Sequence, residues 1–196
     1  GVAPAAAEAR RVASGSFTPH VIVSGIEHEA VLMPAKRLEQ PGFRVTRPCP
    51  DSRGFITADA LEEAIDVDTV LVSIQAANSE LGSVEPVREL AAIAHAHGAL
   101  FHVDATQALG KMPLDVREWD VDAASFSAHK VGGPKGIGAL YVKARTPLSA
   151  FQLGGGQEAG RRSGTQNVMG AAGVAAACRA VCGMEPVDSA RLRELR

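Results

Sequence analysis

The sequence has little of what would mark a secreted, membrane-bound or nucleic-acid-binding chain. Its 196 residues include three cysteines, Cys49, Cys178 and Cys182. They form no disulfide framework, so a reduced, cytoplasmic protein is expected. No apolar run reaches the roughly 20 residues that cross a bilayer. Glu8, Arg10 and Arg11 interrupt the alanine-rich start, where a signal peptide would carry its apolar centre. Twenty basic residues stand against twenty-two acidic ones, a net charge of -2, with no basic run to suggest nucleic acid and no acidic tail. There is no internal repeat, and alanine is the only compositional bias.

Several familiar site patterns are missing too. His95 and His97 are two apart in a helical stretch and so point away from each other. His102 and Asp104 share a strand face, but no third ligand stands at a fixed spacing, and no metal is expected. The run G-G-P-K-G-I-G lacks both the G-x-x-x-x-G-K-[ST] and the G-x-G-x-x-G spacings of nucleotide loops. Cys49 sits in P-C-P with no adjacent histidine to activate it.

What is present is an apolar fraction of 46%, enough to bury one substantial core and make one domain of residues 1–196. Helical and strand patterns alternate along it. Residues 2–14, 29–40, 86–97, 168–182 and 190–196 read as helices, Pro34 lying inside the second, and Thr57 caps another that carries Leu61 and Ile65. Residues 20–24, 43–47, 69–74, 100–103, 121–127 and 137–142 read as strands. This alternation argues an α/β fold, a mostly parallel sheet with helices on both faces. In such sheets ligands sit beyond the carboxyl ends of the strands. His28, Asn78, Asp104, Ser127, His129 and Lys130 all fall at such ends.

Lys130 stands out among them. A small-residue strand end leads into it, and Gly132, Gly133, Pro134, Gly136 and Gly138 follow, so the lysine is presented on a tight loop. A lysine held in such a place can lose its proton by desolvation and form a Schiff base. A second glycine-rich run, residues 154–165, reads as a long exposed loop, and such loops are uncommon unless they have a function.

Five stretches in order carry a resemblance: H-V-I-V-S-G-I-E-H-E-A-V, L-V-S-I-Q-A-A-N-S-E-L-G, F-H-V-D-A-T-Q-A-L-G-K, S-F-S-A-H-K-V-G-G-P-K-G-I-G-A-L-Y and G-G-G-Q-E-A-G-R-R-S-G-T. Together they resemble the cysteine desulfurases of the class V aminotransferase group, pyridoxal 5'-phosphate enzymes of fold type I that remove sulfur from L-cysteine. The resemblance implies a homodimeric transferase that converts L-cysteine to L-alanine. Its sulfur would leave as an enzyme persulfide, pass to an acceptor protein and feed iron–sulfur cluster or thio-cofactor assembly. It covers part of the family's chain, most of the cofactor-binding large domain. The family's G-T-E-S phosphate loop would precede residue 1, and its small domain would follow residue 196. The chain alone is therefore expected to be inactive.

Carried over residue by residue, the resemblance gives Lys130 the covalent bond to pyridoxal phosphate and Asp104 the pyridine nitrogen. It places His28 against the ring and Gln107 at the phenolic oxygen. Ser127 and His129 match phosphate ligands, and Thr165 matches the threonine that reaches the neighbouring subunit's phosphate. Lys135 stands five residues beyond the lysine position and is rejected. Two departures are visible. The family's N-N-E-[IVL]-G is Asn78, Ser79, Glu80, Leu81, Gly82 here, so both Asn78 and Ser79 are carried as cofactor ligands. No cysteine here matches the catalytic one, which is expected after residue 196. A selenocysteine lyase, a kynureninase or a small-amino-acid aminotransferase is the alternative within the group. A non-catalytic fragment that only binds cofactor or a partner is the alternative outside it.

Overall fold

Runs of apolar and β-branched residues build the sheet. His20–Val23 (β1), Arg44–Thr46 (β2), Thr69–Ser73 (β3), Leu100–Asp104 (β4), Ala123–Ser127 (β5) and Gly138–Val142 (β6) pair in the order β2-β1-β3-β4-β5-β6. The first five are parallel, and β6 returns antiparallel to β5 with Ser127 opposite Gly138. The computed structural model describes residues 1–183, so the helix expected over 190–196 lies outside the described residues.

Alternation along each strand sends side chains to two cores. Val21 and Val23 of β1 and Val70 of β3 pack with Ala3, Ala6 and Ala35, which places helices Val2–Ser14 (α1) and Glu29–Leu38 (α2) on one face. Ile22 and Val72 turn the other way, to Leu61 of Ala58–Ala64 (α3), Leu90 of Val87–Ala96 (α4), and Ile56 and Phe101. Leu61, Leu90 and Phe101 are fully buried, each contributing about 1.5–3 kcal/mol by leaving water. Both faces are thus covered, and the expected α/β architecture is observed.

Local chemistry sets the helix ends. Thr57 Oγ1 accepts the Ala60 N–H at 3.2 Å and caps α3. Pro86 precedes the first residue of α4, and beyond its C-cap His97 the chain turns away at Gly98 with φ +72°. Helix α2 runs through Pro34. At the amino end of the sheet His20 is buried with one ring nitrogen on Thr69 Oγ1 and the other on Thr46 Oγ1, both at 2.8 Å.

Some features had no signal in the residue pattern. The connection from β4 to β5 is a string of turns, yet Met112, Leu114, Val116 and Trp119 in it pack on the core. The exposed glycine-rich run contains a single 3₁₀ turn, Gln157–Gly160. Ser163 folds that run onto itself: it is buried, and its hydroxyl donates to the Gly155 carbonyl at 2.5 Å. Helix Val168–Gly183 (α5) follows and packs against the turn that carries Lys130.

Strand order matters most for the site. From β1 the chain steps outward to β2, then crosses back to β3 on the other side of β1, and continues in that direction through β4 and β5. The boundary between β1 and β3 is therefore a topological switch point, where loops leave their neighbours in opposite directions and open a crevice.

Candidate active site

Because β1, β3, β4 and β5 are adjacent and parallel, the segments that follow them emerge along one edge of the sheet. His28 follows β1 and is the N-cap of α2, its Nδ1 accepting the Ala30 N–H at 3.1 Å. That bond leaves the second ring nitrogen, Nε2, as the protonated one in the neutral imidazole. The ring is exposed at the crevice. Asp104 is the last residue of β4. Its Oδ1 accepts the Thr106 N–H at 3.0 Å, while Oδ2 has no hydrogen-bond partner among the described residues.

After β5 the chain makes a 3₁₀ turn, Ala128–Val131, closed by Gly132 in the left-handed region at φ +79°. Ala128 is buried and its N–H donates to the Ile137 carbonyl at 3.2 Å, so the turn is pinned from below. Gly138 lies so close to the Phe126 carbonyl that no side chain fits there. His129 and Lys130 are left exposed on top of the turn. His129 Nδ1 and Ser127 Oγ are 2.7 Å apart. Lys135 lies in the next turn, on the way to β6.

In the loop after β3, Asn78 is occupied with its own loop. Its Oδ1 accepts the Glu80 and Leu81 N–H groups at 2.8 Å each, and Nδ2 donates to the Ile26 carbonyl at 3.0 Å. Ser79 beside it is exposed. The division of labour is plain: Asn78 shapes the loop and ties it to β1, and Ser79 carries the available side chain.

Two buried groups beneath these loops are strongly perturbed. Glu27 Oε1 accepts the Gln75 N–H at 2.6 Å, and Oε2 is buried without a hydrogen-bond partner among the described residues. Burial pushes its carboxyl up to about 8, against the Gln75 and Ser24 hydrogen bonds and with added repulsion from Asp104 and Glu85. His102, two residues before Asp104, bridges three strands, with Nδ1 to Ser73 Oγ and Nε2 to Ser125 Oγ, both at 2.8 Å. Desolvation holds its imidazole down at about 4, with Asp104 pulling weakly the other way. Both nitrogens are engaged, so His102 is a neutral bridge and not a metal ligand. His95 pairs with Asp122 and His97 with Glu62, in keeping with their divergent directions. No group of three or more His, Cys, Asp or Glu among the described residues could hold a metal.

Gln107, in the turns after β4, accepts from Lys111 Nζ at 2.5 Å through Oε1. Thr165 stands apart: it is exposed in the glycine-rich loop and makes no hydrogen bond to the other site residues. Cys49 is exposed after β2, next to Pro48, whose carbonyl accepts the Gly25 N–H at 3.0 Å. It thus lies at the same end of the sheet as the site, one strand further out. Glu27 and Lys111 carried no signal in the sequence pattern. A glutamate beside a histidine looks like a surface residue until the strands are assembled and bury it, and Lys111 stays exposed but is brought against Gln107.

Comparison with known proteins agrees with this arrangement. The class-V aminotransferase family model matches residues 8–193. A cysteine desulfurase IscS of Serratia proteamaculans is 47% identical over 179 residues, covering 90% of this chain and 44% of that protein. A NifS-like protein of known structure superposes with a TM-score of 0.84 at 42% identity, covering 91% of this chain and 49% of that one. A structure described as SspA in complex with cysteine superposes at 0.83 with 36% identity, covering 97% and 57%. The chain spans about half the length of the relatives it matches. A family match over nearly every residue, carried by a parallel sheet with its lysine turn and aspartate at neighbouring strand ends, places this chain in the class-V aminotransferase family, whose members are pyridoxal-phosphate enzymes.

Proposed function

We propose that this chain is most of the cofactor-binding domain of a homodimeric cysteine desulfurase, which takes sulfur from L-cysteine and passes it to an acceptor protein. The observation that carries the reading is the grouping of His28, Asp104, Gln107 and Lys130 at the carboxyl ends of adjacent parallel strands beside the switch point. Its support is the identity to proteins called cysteine desulfurase and the likeness to a structure described with cysteine bound.

The donor set fits pyridoxal phosphate. Asp104 Oδ2, without a hydrogen-bond partner among the described residues, stands at a strand end and suits a ring N–H. Ser127 Oγ and His129, 2.7 Å apart, suit a phosphate. The exposed amine of Lys130 suits an aldehyde, and the exposed ring of His28 offers a flat face for stacking. When bound, the cofactor supplies an electrophilic carbon and an electron-accepting ring.

The chain's own residues set the conditions for that chemistry. Asp104 would favour a protonated ring nitrogen by giving it an anionic partner. Lys130 would hold the aldehyde of the cofactor through Nζ, and the same amine, exposed on its turn, would be the group placed to move protons at the substrate's Cα. His28, its Nδ1 held by the Ala30 N–H, keeps an orientation fixed by the helix cap. Ser79 would be a further hydrogen-bonding ligand of the cofactor, and Thr165 would reach the phosphate of the partner's site.

The reading is tested with the full-length protein that contains this chain. Incubation with pyridoxal phosphate and L-cysteine should produce a visible cofactor band, then alanine and sulfide in equal amounts with a reductant present. Alanine without sulfide, or kynurenine cleavage in its place, would move the chain to another member of the same family.

A further inference from the structure

We infer that Lys111 sets the orientation of the Gln107 amide, and with it which hydrogen-bonding group Gln107 turns toward the cofactor. The inference rests on the pyridoxal-phosphate reading above. It begins with the turns after β4, where Ala108 N donates to the Ala105 carbonyl, Leu109 N to Ala105 and Lys111 N to Ala108. These turns place residues 107 and 111, four apart, on one side. Lys111 Nζ reaches Gln107 Oε1 at 2.5 Å.

A glutamine amide has an acceptor end and a donor end that are nearly identical in shape, so its orientation is decided by its partners. An ammonium group has only donors. Lys111 can therefore pair with the oxygen alone, and Nε2, with its two N–H groups, is turned the other way. A donor is what the phenolic oxygen of pyridoxal phosphate requires. With Lys111 replaced by a group that accepts, the amide would turn over and set its oxygen against an electron-rich oxygen.

A second observation places Lys111 at the site and not on an unrelated surface. Partial burial lowers its pKa, and the next cause is the positive charge of Lys130, so the two amines share one electrostatic environment. Lys111 is a positioning residue here: it acts on the cofactor through Gln107.

The test uses the full-length protein with Lys111→Arg, Lys111→Met and Lys111→Glu, each with Gln107 intact and with Gln107→Ala. Two quantities are read: the dissociation constant of pyridoxal phosphate and the wavelength of its bound visible band. Lys111→Glu should weaken binding about tenfold, the scale of one hydrogen bond to a charged group, and shift the band. Lys111→Met should do the same to a smaller extent, and Lys111→Arg, also donor-only, should restore most of the affinity. All three should lose their differences in the Gln107→Ala background. The inference is overturned if the three variants bind alike with Gln107 intact, or if the Glu variant loses as much affinity when Gln107 is absent, because its effect would then be plain charge. If Lys111→Glu does not fold, the Met and Arg pair decides on the same criteria. Failure of the unmodified protein to gain a visible band would instead overturn the cofactor reading itself.

Discussion

Glu27 and Gln75 join the two strands that flank the switch point: the Glu27 carboxyl oxygen accepts the Gln75 N–H at 2.6 Å, from the segment after β1 to the segment after β3. Next to it, Gln75 Nε2 and Asn78 Nδ2 both donate to the Ile26 carbonyl, at 2.9 and 3.0 Å. The crevice wall therefore rests on a carboxyl whose pKa burial raises to about 8.

Glu27 should make the protein less stable as pH rises. Its folded pKa is about 8 and its ordinary value 4.5, so the folded state holds the extra proton between the two. Unfolding releases it, and stability falls from pH 4.5 toward 8. Glu27→Gln keeps an acceptor for the Gln75 N–H and removes the titration. Thermal unfolding at pH 5 and pH 8 should show a smaller drop for the Gln variant than for the wild type. Equal drops would show that the carboxyl does not titrate in this range.

His102 should act in the opposite direction. Its folded pKa is held at about 4 against an ordinary 6.5, so the unfolded state binds more protons between them and stability rises with pH across that window. His102→Asn should flatten the rise, as read by denaturant unfolding at pH 4.5 and 6.5. An unchanged slope would mean that the bridge between Ser73 and Ser125 tolerates the charged ring.

Asn78 and Ser79 should separate stability from cofactor binding. Asn78→Ala removes three hydrogen bonds of the loop and should cost about 1–3 kcal/mol of stability. Ser79→Ala should leave the melting temperature in place and weaken cofactor binding alone. The reverse pattern would exchange their roles.

Lys130 should carry the cofactor covalently. Borohydride treatment of the full-length holoprotein should fix the label on the peptide that contains Lys130. Lys130→Ala should abolish that label, and Lys135→Ala should leave it. Label on the Lys135 position would reassign the site.

Asp104→Asn should reduce turnover by about a hundredfold or more, the scale of losing one electrostatic stabiliser at a reacting centre. Asp104→Glu should cost much less, because it retains the charge that keeps the ring nitrogen protonated. Steady-state alanine formation checks both, and near-normal turnover in the Asn variant would return Asp104 to a loop-shaping role through its Thr106 hydrogen bond.

Much of this molecule is written locally. β-branched runs, the Thr57 cap, Gly98 after α4 and the glycines around Lys130 each act on their near neighbours. Element types, the two-sided helix cover and the lysine turn therefore follow from the residue order. His28, Asp104 and Lys130 could be placed at strand ends for the same reason. Strand order could not, because parallel pairing joins residues distant in sequence and a short strand such as Arg44–Thr46 fits many edges equally well. That order created the crevice. Only the assembled sheet decided that Asn78 spends its side chain on its own loop, that Cys49 sits at the site's end of the sheet, and that Lys111 shares the electrostatic environment of Lys130. Glu27 shows the physical reason most clearly: its pattern reads as a surface carboxylate, and only its burial between the segments after β1 and β3 raises its pKa to about 8.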